Sequence, residues 1–407
     1  MLMNFYTMLL ARNYISAAFP RRCFYAITLV LSLAYIVMWG KGIVENIGLA
    51  KPNKTIVSDF KSFYTAGQLA REGTPILAYN HAAHGAKQES LVEEGAQYPY
   101  MQFPYPPFFL VLSEGFASLP YVYALSVWQY GSLVVAAIFI FRILPKRETV
   151  LITLSFPSII PNLAHGQTGF LTTALIAGYL VMLEKRPWLA GVFIGFLAYK
   201  PQFGVLIPFA LIAGGYWRTI FSATGTIALM ILGVTLLYGA EIWTAFYNTL
   251  ALQKTVLEQA NTQLEAYHSA FAFTHKMGGS TMLSYGVQAV MQLGVLGCIV
   301  WAWRKKNAVD YALKAALLVM GTLLFTPYIL DYDLFALLPA LVFLARYGIE
   351  HGFSPYGKFV LAVAWFTPAF ARQVNEATDI PLGLIMMLSL FIYTMRIALR
   401  AQQCKHS

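Results

Sequence analysis

The run TMLSYGVQAVMQLGVLGCIVWAW, residues 281–303, carries no charged side chain and ends directly against Arg304-Lys305-Lys306. As a helix it rises about 1.5 Å per residue, enough to cross the ~30 Å hydrocarbon core of a bilayer. A helix satisfies its own backbone amides, which water cannot reach there. The basic cluster marks one end as cytoplasmic, because Lys and Arg collect on that side of short loops.

Working outward from this anchor, the other basic residues give a consistent map. Glu184-Lys185-Arg186 is read as cytoplasmic; the chain leaves through 188–199, returns through 203–215 to Arg218, and leaves again through 220–238. A polar stretch, 241–280, is predicted to lie outside. After 281–303, the segments 311–325, 334–344, 359–370 and 381–397 finish the chain, with Arg346, Arg396, Arg400 and Lys405 inside. Upstream, 24–44 is the first span; Arg12, Arg21 and Arg22 precede it and put the N-terminus inside. No small-residue cleavage site follows that run, so it reads as an anchor rather than a cleaved signal. Residues 1–18 are predicted as an interfacial helix. The early middle supplies four more apolar runs, 106–119, 121–141, 150–164 and 168–183. Together these make thirteen segments, which is incompatible with both termini inside. The short, proline-led 106–119 is taken as re-entrant, leaving about 12 crossings at ~20 residues per full span.

Composition agrees. Hydrophobic residues make up 58% of the 407 positions and charged residues 11%, against about 25% charged in soluble proteins. The fold class is therefore an all-α polytopic membrane protein, one integral-membrane domain over 1–407. It has an outer loop with short helices at 45–105, central spans over 106–240, a second outer loop at 241–280 and C-terminal spans over 281–407. The net charge of +10 follows the cytoplasmic bias and forms no basic stripe with interleaved aromatics, so no nucleic acid is expected. Cys23, Cys298 and Cys404 are scattered and have neither metal nor disulfide spacing.

Polar groups are expensive in lipid, so their placement is informative. Asp59 follows the first span in SDFKSFYTAG, residues 58–67. His165-Gly166-Gln167 divides two apolar runs, Lys200-Pro201-Gln202 sits at a turn, and Tyr328, Asp331, Tyr332 and Asp333 sit at another. On this map all four lie on the outer side, while Glu114 is the main mid-span charge. The pattern describes a cavity at the membrane surface rather than a path through it. Each residue also has a purely structural reading. Asp59 is a candidate helix N-cap, Lys200 a snorkelling cation, Asp331 and Asp333 solvated loop charges, and His165 an interhelical hydrogen-bonder. His81 and His84 have helical spacing but lack a third ligand, so no metal is expected. Residues 241–280 read more readily as a solvated amphipathic stretch than as a substrate wall.

These pieces, in order, resemble the family 87 glycosyltransferases, polytopic enzymes of the GT-C fold. The resemblance rests on Asp59-Phe60 with Tyr64, Ala66 and Gly73-Thr74-Pro75; Tyr105-Pro106-Pro107 with Leu119-Pro120; Gly166-Gln167; Lys200-Pro201-Gln202; and Tyr332-Asp333. It spans roughly 58 to 340. One departure is Tyr79-Asn80, where the family often has Tyr-Asp. The resemblance implies a GT-C helix bundle and a sugar, mannose or another hexose, carried on a polyprenyl phosphate. That sugar passes to a glycolipid or glycan acceptor on the outer face of the inner membrane, without a cofactor. It implies Asp59 as the base of an inverting displacement. Lys200, Gln202, Gln167 and Arg372 are then expected at the donor phosphate, and Tyr64, Tyr105, His165, Tyr332 and Asp333 at the sugars, with the orienting of Lys200 as the alternative role of Asp333. A secondary transporter or lipid flippase is the alternative, although such proteins place sites at the midplane between repeats and this chain shows no repeat. A catalytically silent scaffold is the third reading.

Overall fold

The computed structural model describes residues 59–91, 100–259 and 264–406. The predicted first span 24–44, the interfacial helix 1–18 and parts of the first outer loop lie outside the described residues. Within them the chain is helical apart from one isolated bridge between Tyr267 and Leu330. Among the described residues, five helices are long and apolar enough to cross a membrane: Tyr121–Ile143, Trp217–Tyr238, Thr281–Trp303, Asp331–His351 and Leu382–Gln403. Six shorter apolar helices accompany them. This is a membrane protein built as a helix bundle.

The bundle has an inside and an outside. We number α1 Phe60–Arg71, α2 His81–Glu89, α3 Pro107–Phe116, α4 Tyr121–Ile143, α5 Arg147–Leu154, α6 Ile159–His165 and α7 Gly169–Met182. Next come α8 Pro187–Phe196, α9 Ile207–Gly214, α10 Trp217–Tyr238, α11 Glu241–Gln259, α12 Ala270–Lys276 and α13 Thr281–Trp303. The chain ends with α14 Tyr311–Phe325, α15 Leu338–His351, α16 Gly357–Phe366, α17 Ala371–Thr378 and α18 Leu382–His406. Helices α7 and α14 are buried almost all round, and the span ending in α15 is 72% buried. By contrast α10 is 11% buried and exposes Phe221, Leu229 and Leu236. An apolar surface of that extent suits lipid rather than water.

Prolines decide where apolar runs stop being helix. The predicted span 150–164 is not one helix: α5 ends at Leu154 and α6 starts at Ile159. Pro157 disfavours helical backbone at Phe156 and offers no amide to continue the ladder. The predicted span 334–344 is longer than expected, because a 3₁₀ turn at Asp331–Leu337 leads straight into α15. The polar stretch 241–280 contains α11 and α12, with α11 packed on the 3₁₀ turn Pro75–Tyr79 through Phe246 and Tyr79.

Helix α1 is held by aromatic contacts. Phe60 meets the Tyr121 ring edge-on at 5.7 Å, and Phe63 meets Tyr105 at 5.2 Å and Phe109 at 5.4 Å. Such edge-to-face pairs add about 0.5–1.5 kcal/mol each beyond burial. Tyr64 donates its hydroxyl to the Leu119 carbonyl at 2.9 Å, tying α1 to the turn between α3 and α4. At Gly67 the backbones of α1 and α3 touch: a Cβ there would lie 2.1 Å from the Ser113 carbonyl oxygen. Gly67→Ala should therefore destabilise the detergent-solubilised protein by about 1–3 kcal/mol in thermal unfolding. Gly85→Ala in α2, where a Cβ meets Tyr100 at an ordinary 3.5 Å, should be neutral or stabilising, since Ala is the better helix former.

Candidate functional site

Asp59 immediately precedes α1 and has helical backbone angles, yet its side chain makes no capping bond. Its Oδ2 instead accepts a hydrogen bond from Gln167 Nε2 at 2.7 Å, and His165 Nδ1 lies 3.8 Å from the same oxygen. The capping role does not account for the residue. Local chemistry brings its partners there. Helix α6 stops because Gly166 takes a left-handed conformation, φ 64°, which glycine adopts without penalty. The Gln167 amide bonds back to the Asn162 carbonyl, and Trp128 Nε1 donates to the Gly166 carbonyl at 2.9 Å. The turn thus presents His165 and Gln167 on either side of the glycine to one carboxylate.

These residues line a cleft of about 300 Å³. Its walls come from six segments of the chain: Asp59, Ser62 and Phe63; Met101, Gln102, Pro104 and Tyr105; Pro161, His165 and Gln167; Ala266 and Tyr267; Leu330, Asp331 and Tyr332; and Arg372. Burial raises the Asp59 carboxyl above its ordinary value, opposed by the Gln167 hydrogen bond and by the charges of His165 and Lys61. Burial likewise pushes up the hydroxyls of Tyr105 and Tyr267. A desolvated, partly restrained carboxylate in a concave polar site is the arrangement expected of a general base.

Lys200 and Asp333 take a different place. Both side chains are buried, Lys200 donates to Asp333 Oδ1, and neither lines the cleft. The Lys200 ammonium lies 4.9 Å from the centre of the Tyr332 ring, whose residue does line it. Lys200 also donates to Thr168 Oγ1 at 3.3 Å, and Asp333 Oδ2 accepts from the Leu330 amide at 3.3 Å. Lys200, expected at the phosphate, and Asp333, expected at the sugars, are matched to each other, and neither side chain is among those that line the cleft. Tyr64, engaged by Leu119, and Gln202, in the 3₁₀ turn Pro201–Phe203, also do not line it. Tyr105, His165, Gln167, Tyr332 and Arg372 do, with Asp59.

The cleft also takes in residues outside the expected site set. Asp331, read from the sequence as a candidate loop charge, lines the cleft, with its Oδ1 2.7 Å from His268 Nε2 and its Oδ2 3.7 Å from the Arg372 guanidinium. At three residues per 3₁₀ turn, Asp331 and Asp333 cannot face the same way. Tyr267 and Ala266, in the stretch read as solvated, also line it. His84 is fully buried: its Nε2 sits 2.9 Å from Thr65 Oγ1 and its Nδ1 3.2 Å from the Tyr100 hydroxyl. Burial lowers its pKa to about 4, so it fastens α2 to α1 as a neutral ring.

The model of glycosyltransferase family 87 matches residues 103–327, more than half of the 407-residue chain, and the chain belongs to that family. No curated protein and no solved structure matches it. Tyr105, His165, Gln167, Lys200 and His268 fall within the matched residues; Asp59, Asp331 and Arg372 fall outside them.

Removing one partner of a buried ion pair leaves the other charge uncompensated, at about 3–5 kcal/mol. Lys200→Met should therefore lower thermal stability severely. The double change Lys200→Met with Asp333→Leu should recover much of the loss, because it removes both charges. Thermal unfolding of the three proteins in one detergent checks this.

Proposed function

We propose that this family 87 glycosyltransferase moves a hexose, mannose in the first instance, from a polyprenyl-phosphate donor to a hydroxyl of a glycolipid or glycan acceptor. The transfer is a single displacement with inversion. Asp59 takes the acceptor hydroxyl proton as that oxygen attacks the anomeric carbon. The bond from that carbon to the phosphate oxygen breaks, and polyprenyl phosphate departs with its electron pair. The observation that carries this reading is the Asp59 carboxylate, held by Gln167 in a cleft that Arg372 also lines. The leaving group is already a phosphate ester, so the protein's task is to place a base at one end and a cation at the other. Arg372, with its planar fork of donors, is the cation suited to that phosphate. Gln102 and Gln167 supply amides, while Tyr105, Tyr267 and Tyr332 offer rings and hydroxyls to sugar. Lys200 supports the phosphate end indirectly, through Tyr332.

We place the cleft on the outer face of the inner membrane, with both termini cytoplasmic and about 12 crossings. Helix α13 supports this orientation. It begins just after the segment that carries Ala266 and Tyr267, and it ends at Arg304-Lys305-Lys306. Its length of 23 residues separates the two by about a bilayer thickness, and the basic end belongs inside.

Asp59→Asn tests the base. It keeps an acceptor oxygen for Gln167 but cannot take a proton. Transfer of radiolabelled mannose from polyprenyl-phosphate-mannose should fall about 10²–10⁴-fold; equal transfer in both proteins would remove Asp59 as the base. The variant should be at least as stable as the wild type. A carboxyl whose folded pKa is raised favours the protonated form, so its contribution is full below the unfolded pKa and is lost as pH rises through the folded one. In the wild type, transfer should fall as pH drops through a pKa above the usual carboxylate range, because only the ionised base accepts the proton.

A further inference from the structure

Arg372 sits in α17, a helix fastened to the segment around α12. Asn375 Nδ2 donates to the Glu265 carbonyl at 3.0 Å, and Lys276 Nζ donates to the Asn375 carbonyl at 2.7 Å and pairs with Asp379 at 2.9 Å. The backbone of Arg372 is thereby set, but its long side chain carries about 2 kcal/mol of rotamer entropy that something must restrain. Two carboxylates do so. Glu376 Oε1 accepts from Nε at 2.8 Å, one turn along the same helix. Asp331 Oδ2 lies 3.7 Å from Nη1, on the cleft wall.

Asp331 is itself fixed. The ring of His268 is fully buried and its Nε2 donates to Asp331 Oδ1 at 2.7 Å. The His268 amide donates to the Ile329 carbonyl at 2.8 Å, beside the isolated bridge of Tyr267 and Leu330, so ring and carboxylate sit on two segments joined by backbone bonds. Gly383 closes over the ring, since a Cβ there would lie 2.5 Å from its Nδ1. A buried histidine thus holds a carboxylate, and the carboxylate restrains a guanidinium that is 38% exposed. At 3.7 Å the contact is an ion pair without a closed bidentate bond, which leaves guanidinium donors for another anion.

We infer that Asp331, backed by His268, is a positioning residue that aims Arg372 at the phosphate of the lipid-linked donor. The inference rests on the proposed function, because it takes the anion at Arg372 to be a polyprenyl phosphate. Neither Asp331 nor Arg372 lies within the residues matched to the family. A carboxylate beside a phosphate site would by itself repel the ligand. Its net effect is favourable only if it acts through the arginine, and that is what an experiment can separate.

The test is binding of farnesyl phosphate, a short polyprenyl phosphate monoester, to the purified full chain in nanodiscs, with inorganic phosphate as competitor. Arg372→Ala should weaken binding about a hundredfold and Asp331→Asn about tenfold, and His268→Gln should behave like Asp331→Asn. The double variant Asp331→Asn/Arg372→Ala should be no weaker than Arg372→Ala alone, because groups acting through one another do not add. In turnover assays Asp331→Asn should raise KM for the donor while KM for the acceptor stays unchanged, a split that general loosening of the fold would not give. Unchanged or tighter binding in Asp331→Asn, or additive losses in the double variant, would overturn the inference and leave the proposed function standing. Failure of the wild-type protein to bind farnesyl phosphate would overturn both.

Discussion

An ammonium and a carboxylate cannot be buried separately in an apolar bundle, and the Lys200–Asp333 pair satisfies that constraint for the middle of this molecule. Each partner leaves water only because the other does. Their meeting fixes the turn after α8 against the 3₁₀ turn that opens α15. Asn162 adds a second tie, its side chain donating to the Tyr332 carbonyl at 2.8 Å and to the Ser158 carbonyl at 2.9 Å. With α6 held to the Asp331–Leu337 turn in this way, the glycine that ends α6 presents Gln167 to Asp59. The cleft is thus a consequence of a charge pair that does not line it.

Short helices do the rest. A full span carries side chains through the bilayer but leaves little room for a polar pocket. Where proline stops a helix early, as after α5 and before α9, the backbone turns inside the protein and frees amides and carbonyls from the helical ladder. The prolines at 104, 106, 157, 161 and 201 all fall in or beside such breaks, and two of them line the cleft. The aromatic contacts around Phe60 and Phe63 then dock α1 on this frame, with Asp59 at its head.

The sequence showed the membrane character and much of the convergence, because hydrophobicity and the placement of charge are local properties. Asp59, His165, Gln167 and Tyr332 stood out as polar groups at the ends of apolar runs, and they meet. Direction was not legible. The resemblance offered Lys200 for the phosphate and Asp333 either for sugar hydroxyls or for orienting Lys200, and the fold pairs the two. Tyr64 lies in a recognisable motif, yet its hydroxyl reaches a carbonyl 55 residues away. Asp331 resembled a solvated charge because its partners, His268 and Arg372, lie in distant segments without a local signal. The break between α5 and α6 was legible in Pro157, but the apolar count across 150–164 masked it.

Two carboxylates line the same cleft, and their surroundings separate their roles. Asp331 has both oxygens engaged, Oδ1 by the buried His268 and Oδ2 by the Arg372 guanidinium. Asp59 is engaged at Oδ2, by Gln167 and His165, and lines the cleft. Burial makes its charge less comfortable and its proton affinity higher. A base needs an oxygen to offer and a reason to accept a proton, and an orienting group needs neither. On those grounds Asp59 is the group we propose as proton acceptor, and Asp331 the one we propose to orient the arginine.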